Sequence, residues 1–418
     1  MKGLVDNVIS LSENPRDLIT RVLKDGAKRM LAQAIEAEVK EYLSEVNRDE
    51  VIVSKNGKAP TRKIQTGLGP IEIERQKLRK KAGKAVKPFE SKVLPRYLRK
   101  TKSLEELVPW LYLKGISTSD MSDALEPILG RDLKGFSAST VVGLKSKWAE
   151  EYKAWNLSNI NDEIIYCWAD GVYFDIRLGD DQRQCILVVI GATAKGEKKL
   201  LGIEAGYRES KLSWTALLTK LRDRGLTKPP QLAIGDGAMG FWAALDEIYP
   251  TTAHQRCWVH RTANVLDILP KSLQPQAKSM IHDIYQAESR AEADKAFKRF
   301  EETFEAKYPK AVAKLIDTRE KTMAFYDFPA EHWSHIRSTN PIESMFSTVR
   351  LRTRKTKGCG SVTATITMVF KLACCAEKRW RKLNGSKLMA DIIDARFRFV
   401  DGVKEEVCVD RAQASYTK

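Results

Sequence analysis

The sequence predicts an α/β protein: a mixed five-stranded sheet carrying an all-helical insertion, preceded by a mainly helical region with a small β-hairpin. Three observations predict it. Residues 164–259 alternate strand-like and helical runs in the order β-β-β-α-β-α-β, and residues 261–330 are helical and strand-free. Residues 51–102 differ from both, with 16 Lys and Arg against three acids, Glu72, Glu74 and Glu90. At 418 residues, a prior of about 150 per domain suggests two to four domains, and 43% hydrophobic content is ample for their cores.

Residues 1–50 read as an N-terminal helical, dimerisation segment. Asn14-Pro15 starts a helix on which Leu18, Val22, Leu23, Met30, Leu31, Ile35, Val39 and Leu43 recur at helical spacing, as a core face or dimer seam. Within the basic segment 51–102, Lys63–Thr66 and Ile71–Glu74 alternate apolar and polar residues around Gly67-Leu68-Gly69-Pro70, which predicts a hairpin. The Lys77–Lys87 run is too charged to pack and reads as a solvated linker or DNA-tracking arm. Lys63, Arg75, Lys77 and Arg79 are the candidate contacts there. Residues 103–158 predict three short helices: Leu104–Lys114, a second capped by Ser117 or Ser119 and ending at Leu129, and Thr140–Tyr152 behind Ser137 or Ser139. The break at Gly115-Ile116-Ser117 and the Lys145/Lys147 face suit a helix-turn-helix with Thr140–Trp148 as recognition helix.

Ile164–Arg177, Cys185–Thr193 and Lys198–Gly206, joined by short polar turns, predict an antiparallel meander. A helix (Trp214–Arg224), a strand (Gln231–Gly235), a helix (Phe241–Ile248) and a strand (Ala253–Val259) follow. This is the core order of the ribonuclease H-like fold, in which the first and fourth strands lie side by side and parallel. The 214–224 helix supplies the crossover that such a pair needs. Residues 159–260 and 336–400 are then two parts of one core. Between them lies a helical insertion, 261–335, with helices at Lys271–Gln286, Arg290–Lys307 and Lys310–Phe325. A further helix, Thr363–Leu383, closes the core, and 401–418 is a tail that frays from 402.

A net charge of +17 and a pI near 9.4 exceed those of an ordinary cytosolic enzyme and call for a polyanionic partner, nucleic acid ahead of an anionic membrane. No apolar run approaches the roughly 18 residues of a membrane span, and the N-terminus has no charged-then-apolar signal pattern. The seven cysteines are scattered without a CxxC pair, so they form neither a disulfide framework nor a complete zinc site. A reducing cytoplasm suits them.

Three acids stand out. Asp170 lies in an apolar strand, where a carboxylate is costly without a partner. Asp236 follows the fourth strand in Gly235-Asp236-Gly237, which is also a common turn. Glu343 falls three residues after Asn340, a good N-cap followed by Pro341, so a capping box would also account for it. If the two strands are adjacent and parallel, Asp170 and Asp236 emerge at one sheet edge. Clustered carboxylates raise each other's pKa unless cations neutralise them. Oxygen-only ligation suits Mg²⁺ or Mn²⁺, and two such ions about 4 Å apart support in-line displacement at phosphorus. Between Met345 and Lys382 stand ten Lys and Arg against one acid, Glu377. Arg350, Arg352, Arg354, Lys355 and Lys357 open that basic stretch. Cys257 and His260 form a Cys-x2-His element at the end of the last strand. Zinc would need two further ligands, so a packed cysteine and a DNA- or phosphate-contacting His260 are the better reading. Trp258 is either core or a stacking surface for an extruded base.

Together these residues resemble the bacterial Mutator-type insertion-sequence transposases. The resemblance rests on Asp170-Gly171, Gly235-Asp236-Gly237, Gln255-Arg256-Cys257-Trp258-Val259-His260, and Thr339-Asn340-x-x-Glu343 followed by Arg350-x-Arg352-x-Arg354. Asn56-Gly57, the Lys63–Ile73 hairpin and Leu111-Tyr112-x-Lys114-Gly115-Ile116-Ser117 extend it over nearly the whole chain. The resemblance implies a DDE transposase with Asp170, Asp236 and Glu343 as catalytic acids binding two Mg²⁺ or Mn²⁺. It also implies a bacterial cytoplasmic, nucleoid-associated protein whose partners are double-stranded DNA and further copies of itself. Family members cut at the terminal inverted repeats of their own element and join the freed 3′-hydroxyl to target DNA, working as multimers. Two departures are visible: Arg75-Gln76-Lys77-Leu78-Arg79 stands where the family usually shows Pro-Arg-Asp-Arg, and Pro341 replaces a commoner alanine. The rival readings are a non-catalytic DNA-binding regulator derived from such an enzyme and a hydrolytic nuclease of the same fold.

Overall fold

The computed structural model describes residues 15–46, 52–82, 87–113, 116, 120–129, 138–175, 183–206, 208–355 and 361–407. The chain divides into two compact units, Met1–Leu144 and Lys145–Lys418.

In the first unit, α1 (Pro15–Val46) buries only its C-terminal half. Ile35, with Leu31 and Ala27 beside it, packs against Ile64, Ile71 and Ile73 of a hairpin, β2 (Arg62–Thr66) and β3 (Gly69–Ile73), and against Leu94. Val22, Leu23 and Met30, expected on a core face or seam, are exposed. The hairpin has the expected register, with Lys63 opposite Glu72 and Thr66 opposite Gly69. The preceding strand, β1 (Ile52–Lys58), pairs antiparallel with β4 (Gln76–Ala82). This corrects the linker reading of the Lys77–Lys87 run as far as Ala82; residues 83–86 lie outside the described residues. Backbone pairing in a two-stranded ribbon requires no apolar face, so a run of cations can form one while its side chains stay in water. Glu38 of α1 ties down the following loop, accepting from Ser91 Oγ and from the N–H groups of Lys92 and Val93. Leu104 of α2 (Lys102–Leu113) packs on Met121 and Leu125 of α3 (Met121–Leu129). Lys114-Gly115 and Ser117–Ser119, expected to break and cap these helices, lie outside the described residues, as do Ser137 and the turn at 178–182.

The expected recognition helix is longer than predicted. It runs as α4 (Ala138–Asn156), and the boundary between the two units falls inside it. Its C-terminal turns belong to the second unit: Trp148 is buried, Tyr152 Oη donates to the Ile203 carbonyl at 2.7 Å, and Trp155 packs on Phe370.

The second unit is a mixed five-stranded sheet. Its strands are β5 (Ile164–Asp175), β6 (Arg183–Thr193), β7 (Lys198–Gly206), β8 (Leu232–Gly235) and β9 (Ala253–Arg256), in the spatial order β7-β6-β5-β8-β9. The first three form an antiparallel meander; β8 lies parallel to β5, and β9 parallel to β8. Helices α5 (Lys211–Asp223) and α6 (Met239–Ile248) cover one face, where Trp214, Leu217, Leu221, Phe241 and Trp242 meet Cys167, Ala169 and Leu187. Alternate residues of β5 face the other way: Tyr166 Oη pairs with His332 Nδ1 at 2.8 Å, and Trp168 Nε1 donates to the His335 carbonyl at 3.1 Å. A strand covered on both faces reads as an unbroken apolar run.

The last strand stops at Arg256, three residues earlier than expected, because its partner β8 ends at Gly235 and leaves it nothing to pair with. Trp258 instead opens α7 (Trp258–Leu266), with its N–H donating to the Arg337 carbonyl. Helices α8 (Gln274–Tyr285), α9 (Arg290–Phe304) and α10 (Pro309–Ile316) follow, burying Ile281, Ile284, Phe297, Phe300 and Leu315 among themselves. Two short helices, α11 (Arg319–Met323) and α12 (Trp333–Ile336), return the chain to the sheet, and α13 (Asn340–Lys355) and α14 (Val362–Glu377) complete the layer. Past a short α15 (Met389–Ile393) lies a hairpin, β10 (Phe397–Val400) and β11 (Val403–Glu406), turned at Asp401-Gly402 with positive φ at both residues. The tail expected to fray from 402 is therefore a strand as far as Glu406.

Burial pulls His335 down to about 4, with Lys198 adding to it, so the ring is neutral in the fold. The unfolded chain takes up that proton near pH 6.5. The associated stability is therefore complete above that pH and is lost as pH falls from 6.5 towards about 4. Denaturant unfolding should show wild type losing about 1 kcal/mol more than His335→Gln between pH 6.5 and 5.

Candidate active site

The parallel β5–β8 pairing places two of the three acids. Its last paired residues are Ala169 and Gly235, so Asp170 and Asp236 are the next positions on adjacent strands. Asp170 is 8% exposed. Burial pushes it up to about 7; His260 opposes the rise, and Asp236 and Glu343 add to it. Asp236 is half-buried and does form a turn: its Oδ1 accepts from the Ala238 N–H at 2.8 Å, and its carbonyl accepts from Trp242 Nε1. The turn and the site therefore share one residue. Arg256, half-buried on the adjoining strand, lies against Gly237 and feels the Asp236 charge.

Glu343 arrives on the first turn of α13. Ile342, Met345, Phe346 and Val349 recur at helical spacing and are buried, and Phe346 packs against Phe174 of β5. That face aims the helix start at the end of the sheet. Asn340 is exposed and is the first helical residue rather than the cap. Thr339 takes the cap position, its carbonyl accepting from the Glu343 N–H at 3.1 Å. Its hydroxyl donates to Glu343 Oε1 at 3.0 Å, so the carboxylate is held by a side chain instead of closing the expected capping box at Asn340.

Cys257, His260 and Glu343 offer ligand atoms within 4.8 Å of one another, a possible three-ligand set that sequence spacing does not reveal. Thr339 lies among all three. Its Oγ1 is 3.3 Å from Cys257 Sγ, 3.5 Å from His260 Nδ1 and 3.0 Å from Glu343 Oε1, and its N–H donates to the same sulfur. The hydroxyl is within hydrogen-bond distance of all three, which makes the group a hydrogen-bonded clasp. The bond to Cys257 raises His260 to about 9, against burial and with help from Asp170 and Glu343. The imidazole is thus a cation beside the acids. Trp258 is fully buried, with its Nε1 bonded to the Thr322 carbonyl, so it is core and not a stacking surface. The acids themselves supply only oxygen donors, with Asp170 too buried to carry its charge comfortably alone. Such a donor set fits a hard divalent cation.

The Mutator family of transposases matches residues 5–382. The chain belongs to that family. Among similar proteins, the transposase for insertion sequence element IS6120 of Mycolicibacterium smegmatis is 48% identical over 288 residues, covering 69% of this chain and 88% of the relative. The transposase for insertion sequence element IST2 of Acidithiobacillus ferrooxidans is 47% identical, covering 68% and 95%. The transposase for IS905 of Lactococcus lactis is 29% identical, covering 72% and 74%.

The basic residues expected to touch DNA in this family member are spread over both units. In the first, Lys77 and Arg79 are exposed on β4, Arg75 is half-buried just before it, and Lys63 pairs with Glu72 at 3.4 Å. In the second, Lys147 is exposed on α4 and Arg350 on α13, while His260 joins the acids. The backbones at Lys145, Arg352, Arg354 and Lys355 are helical; their side chains and the whole of Lys357 lie outside the described residues. Thr339 and a fourth carboxylate, Glu209, were not among the sequence candidates. Glu209 lies against Gly171.

Thr339→Val should cost about 1 kcal/mol in denaturant unfolding, because it removes the hydroxyl from buried Cys257 and from the half-buried Glu343 and His260, whereas Thr339→Ser should recover most of that loss.

Proposed function

We propose that the protein is the transposase of an insertion sequence, binding the terminal inverted repeats of its element, cleaving the ends and joining the 3′-hydroxyls to target DNA. The reading places a ribonuclease H-like core in the second unit, with 261–335 as its helical insertion. The observation that carries it is the meeting of Asp170, Asp236 and Glu343 where the parallel pair ends.

Two Mg²⁺ or Mn²⁺ ions held by these carboxylates would activate the attacking oxygen and stabilise the leaving one in an in-line displacement. The chain's own residues arrange the rest. Asp170, which feels the charge of both other acids, would help to hold the ions. Thr339 fixes the rotamer of Glu343, and Arg256 steadies Asp236. His260, carrying its proton, balances part of the acidic charge and offers a donor to a phosphate. The +17 net charge supplies the sequence-independent part of DNA affinity, and Lys63, Arg75, Lys77, Arg79, Lys145, Lys147, Arg350, Arg352, Arg354, Lys355 and Lys357 are its proposed contributors. Bridging two element ends requires more than one copy, so the working form is a multimer. No helix among the described residues is long and apolar enough to cross a membrane. The proposed location is the bacterial cytoplasm, on nucleoid DNA.

Asp170→Asn, Asp236→Asn and Glu343→Gln should each lower end cleavage by about 10³-fold or more while sparing end binding. Wild-type-like cleavage by one of them in Mg²⁺ removes that residue from the reaction. Arg350→Gln removes one cation from the proposed phosphate interface and should flatten the log–log salt dependence of DNA binding by about one unit. An unchanged slope takes Arg350 out of the DNA interface.

A further inference from the structure

We propose that Glu209 is a fourth carboxylate of the metal site, serving the ion on the Asp170–Asp236 side. This rests on reading the site as metal-dependent.

Glu209 sits between the end of β7 and Ser210, the N-cap of α5. The chain turns sharply to reach it: Arg208 has a φ of 58°, a left-handed conformation that a non-glycine residue adopts at a cost. Two glycines admit the segment. A Cβ on Gly171 would stand 2.5 Å from Glu209 Cδ and 2.7 Å from its Oε1, so the carboxyl group lies directly on the residue after Asp170. A Cβ on Gly240, at the start of α6, would stand 2.2 Å from the Glu209 carbonyl oxygen, so the same segment is pressed against the helix that follows Asp236. Any side chain at either glycine would displace Glu209.

Asp170 and Gly171 face opposite sides of the sheet, so Glu209 approaches from the α5–α6 side and Asp170 from the α13 side. They can converge because the β8 pairing stops at Ala169 and Gly235, which leaves β5 uncovered along that edge from Asp170 onward. Asp236 stands at the same opening. Burial, then Asp236 and Asp170, push Glu209 up to about 7, which agrees with a shared location. Lys211, the next cation along the chain, pairs with Glu247 at 3.0 Å instead of with Glu209. With Glu343 held by Thr339 on α13, the edge carries acids from both faces of the sheet. With Asp170 shared, three carboxylates would give each of two ions two ligands, and Glu209 would add a third on the Asp170–Asp236 side.

The test is Mn²⁺ binding to the full-length protein without DNA, followed by electron paramagnetic resonance, with melting temperature as the check on folding. Glu209→Gln should weaken Mn²⁺ binding about tenfold or more while Asp170→Asn abolishes it. If Glu209→Gln binds Mn²⁺ as wild type does while Asp170→Asn does not, the assignment of Glu209 is overturned and the reading of the site survives. Wild-type binding by Asp170→Asn as well overturns both. Should Glu209→Gln melt well below wild type, Glu209→Asp keeps the charge and shortens the reach. Weakened binding then supports the assignment, and unchanged binding overturns it.

Discussion

The parallel pairing of β5 with β8 is the constraint on which the rest of the second unit depends. Four consecutive register pairs, Tyr166 with Leu232 through Ala169 with Gly235, end both strands' shared run at one level. The two acids that follow are adjacent because the backbone hydrogen bonds before them permit no other alignment. A slip of one residue would turn Asp170 towards the α5–α6 core, where its charge would have no partner. The crossover through α5 makes that pairing possible, and the short β8 leaves the edge open beyond it. Even the early end of β9 follows, since a strand needs a neighbour, and it places Cys257 and His260 at the start of a helix beside the acids.

The electrostatics suit the proposed divalent ions. Burial and neighbouring charge both make ionised Asp170 unfavourable, and a protonated His260 offsets only part of that. The acids accept from neutral donors, the Thr339 hydroxyl and the Ala238 N–H, while His260 Nδ1 stands 3.9 Å from Glu343 Oε1. Arg256 adds its charge on the Asp236 side.

Much of this was legible in the sequence where a local pattern and a topological rule agreed. The meander, the crossover helix and the β5–β8 neighbourhood follow from strand-like runs separated by turns and from the length of a parallel connection. Asp170 announced itself as a charge in an apolar strand. Contacts across long separations were not legible. Thr339 sits in a stretch where Asn340 is the better cap by composition, and only its burial against Cys257, 82 residues away, reverses the order. Glu209 precedes an ordinary helix cap, Ser210; its meaning lies in Gly171 and Gly240, whose missing side chains signal nothing alone. The β1–β4 ribbon was hidden because charge-rich strands carry no apolar alternation. The length of α4 was underestimated because its last turns are anchored by Ile203, Glu204 and Phe370 from distant segments.

The central claim is that the acids at the end of the β5–β8 pair hold the divalent ions of a DNA-cutting centre. It is tested most directly by a crystal structure of the protein grown with Mn²⁺ and its element-end DNA, using anomalous scattering to locate the metal. The account predicts two anomalous peaks within coordination distance of the Asp170, Asp236 and Glu343 carboxylates and beside a DNA phosphate. A Mn²⁺ found elsewhere, with these three side chains making only protein contacts while DNA is bound, would contradict it.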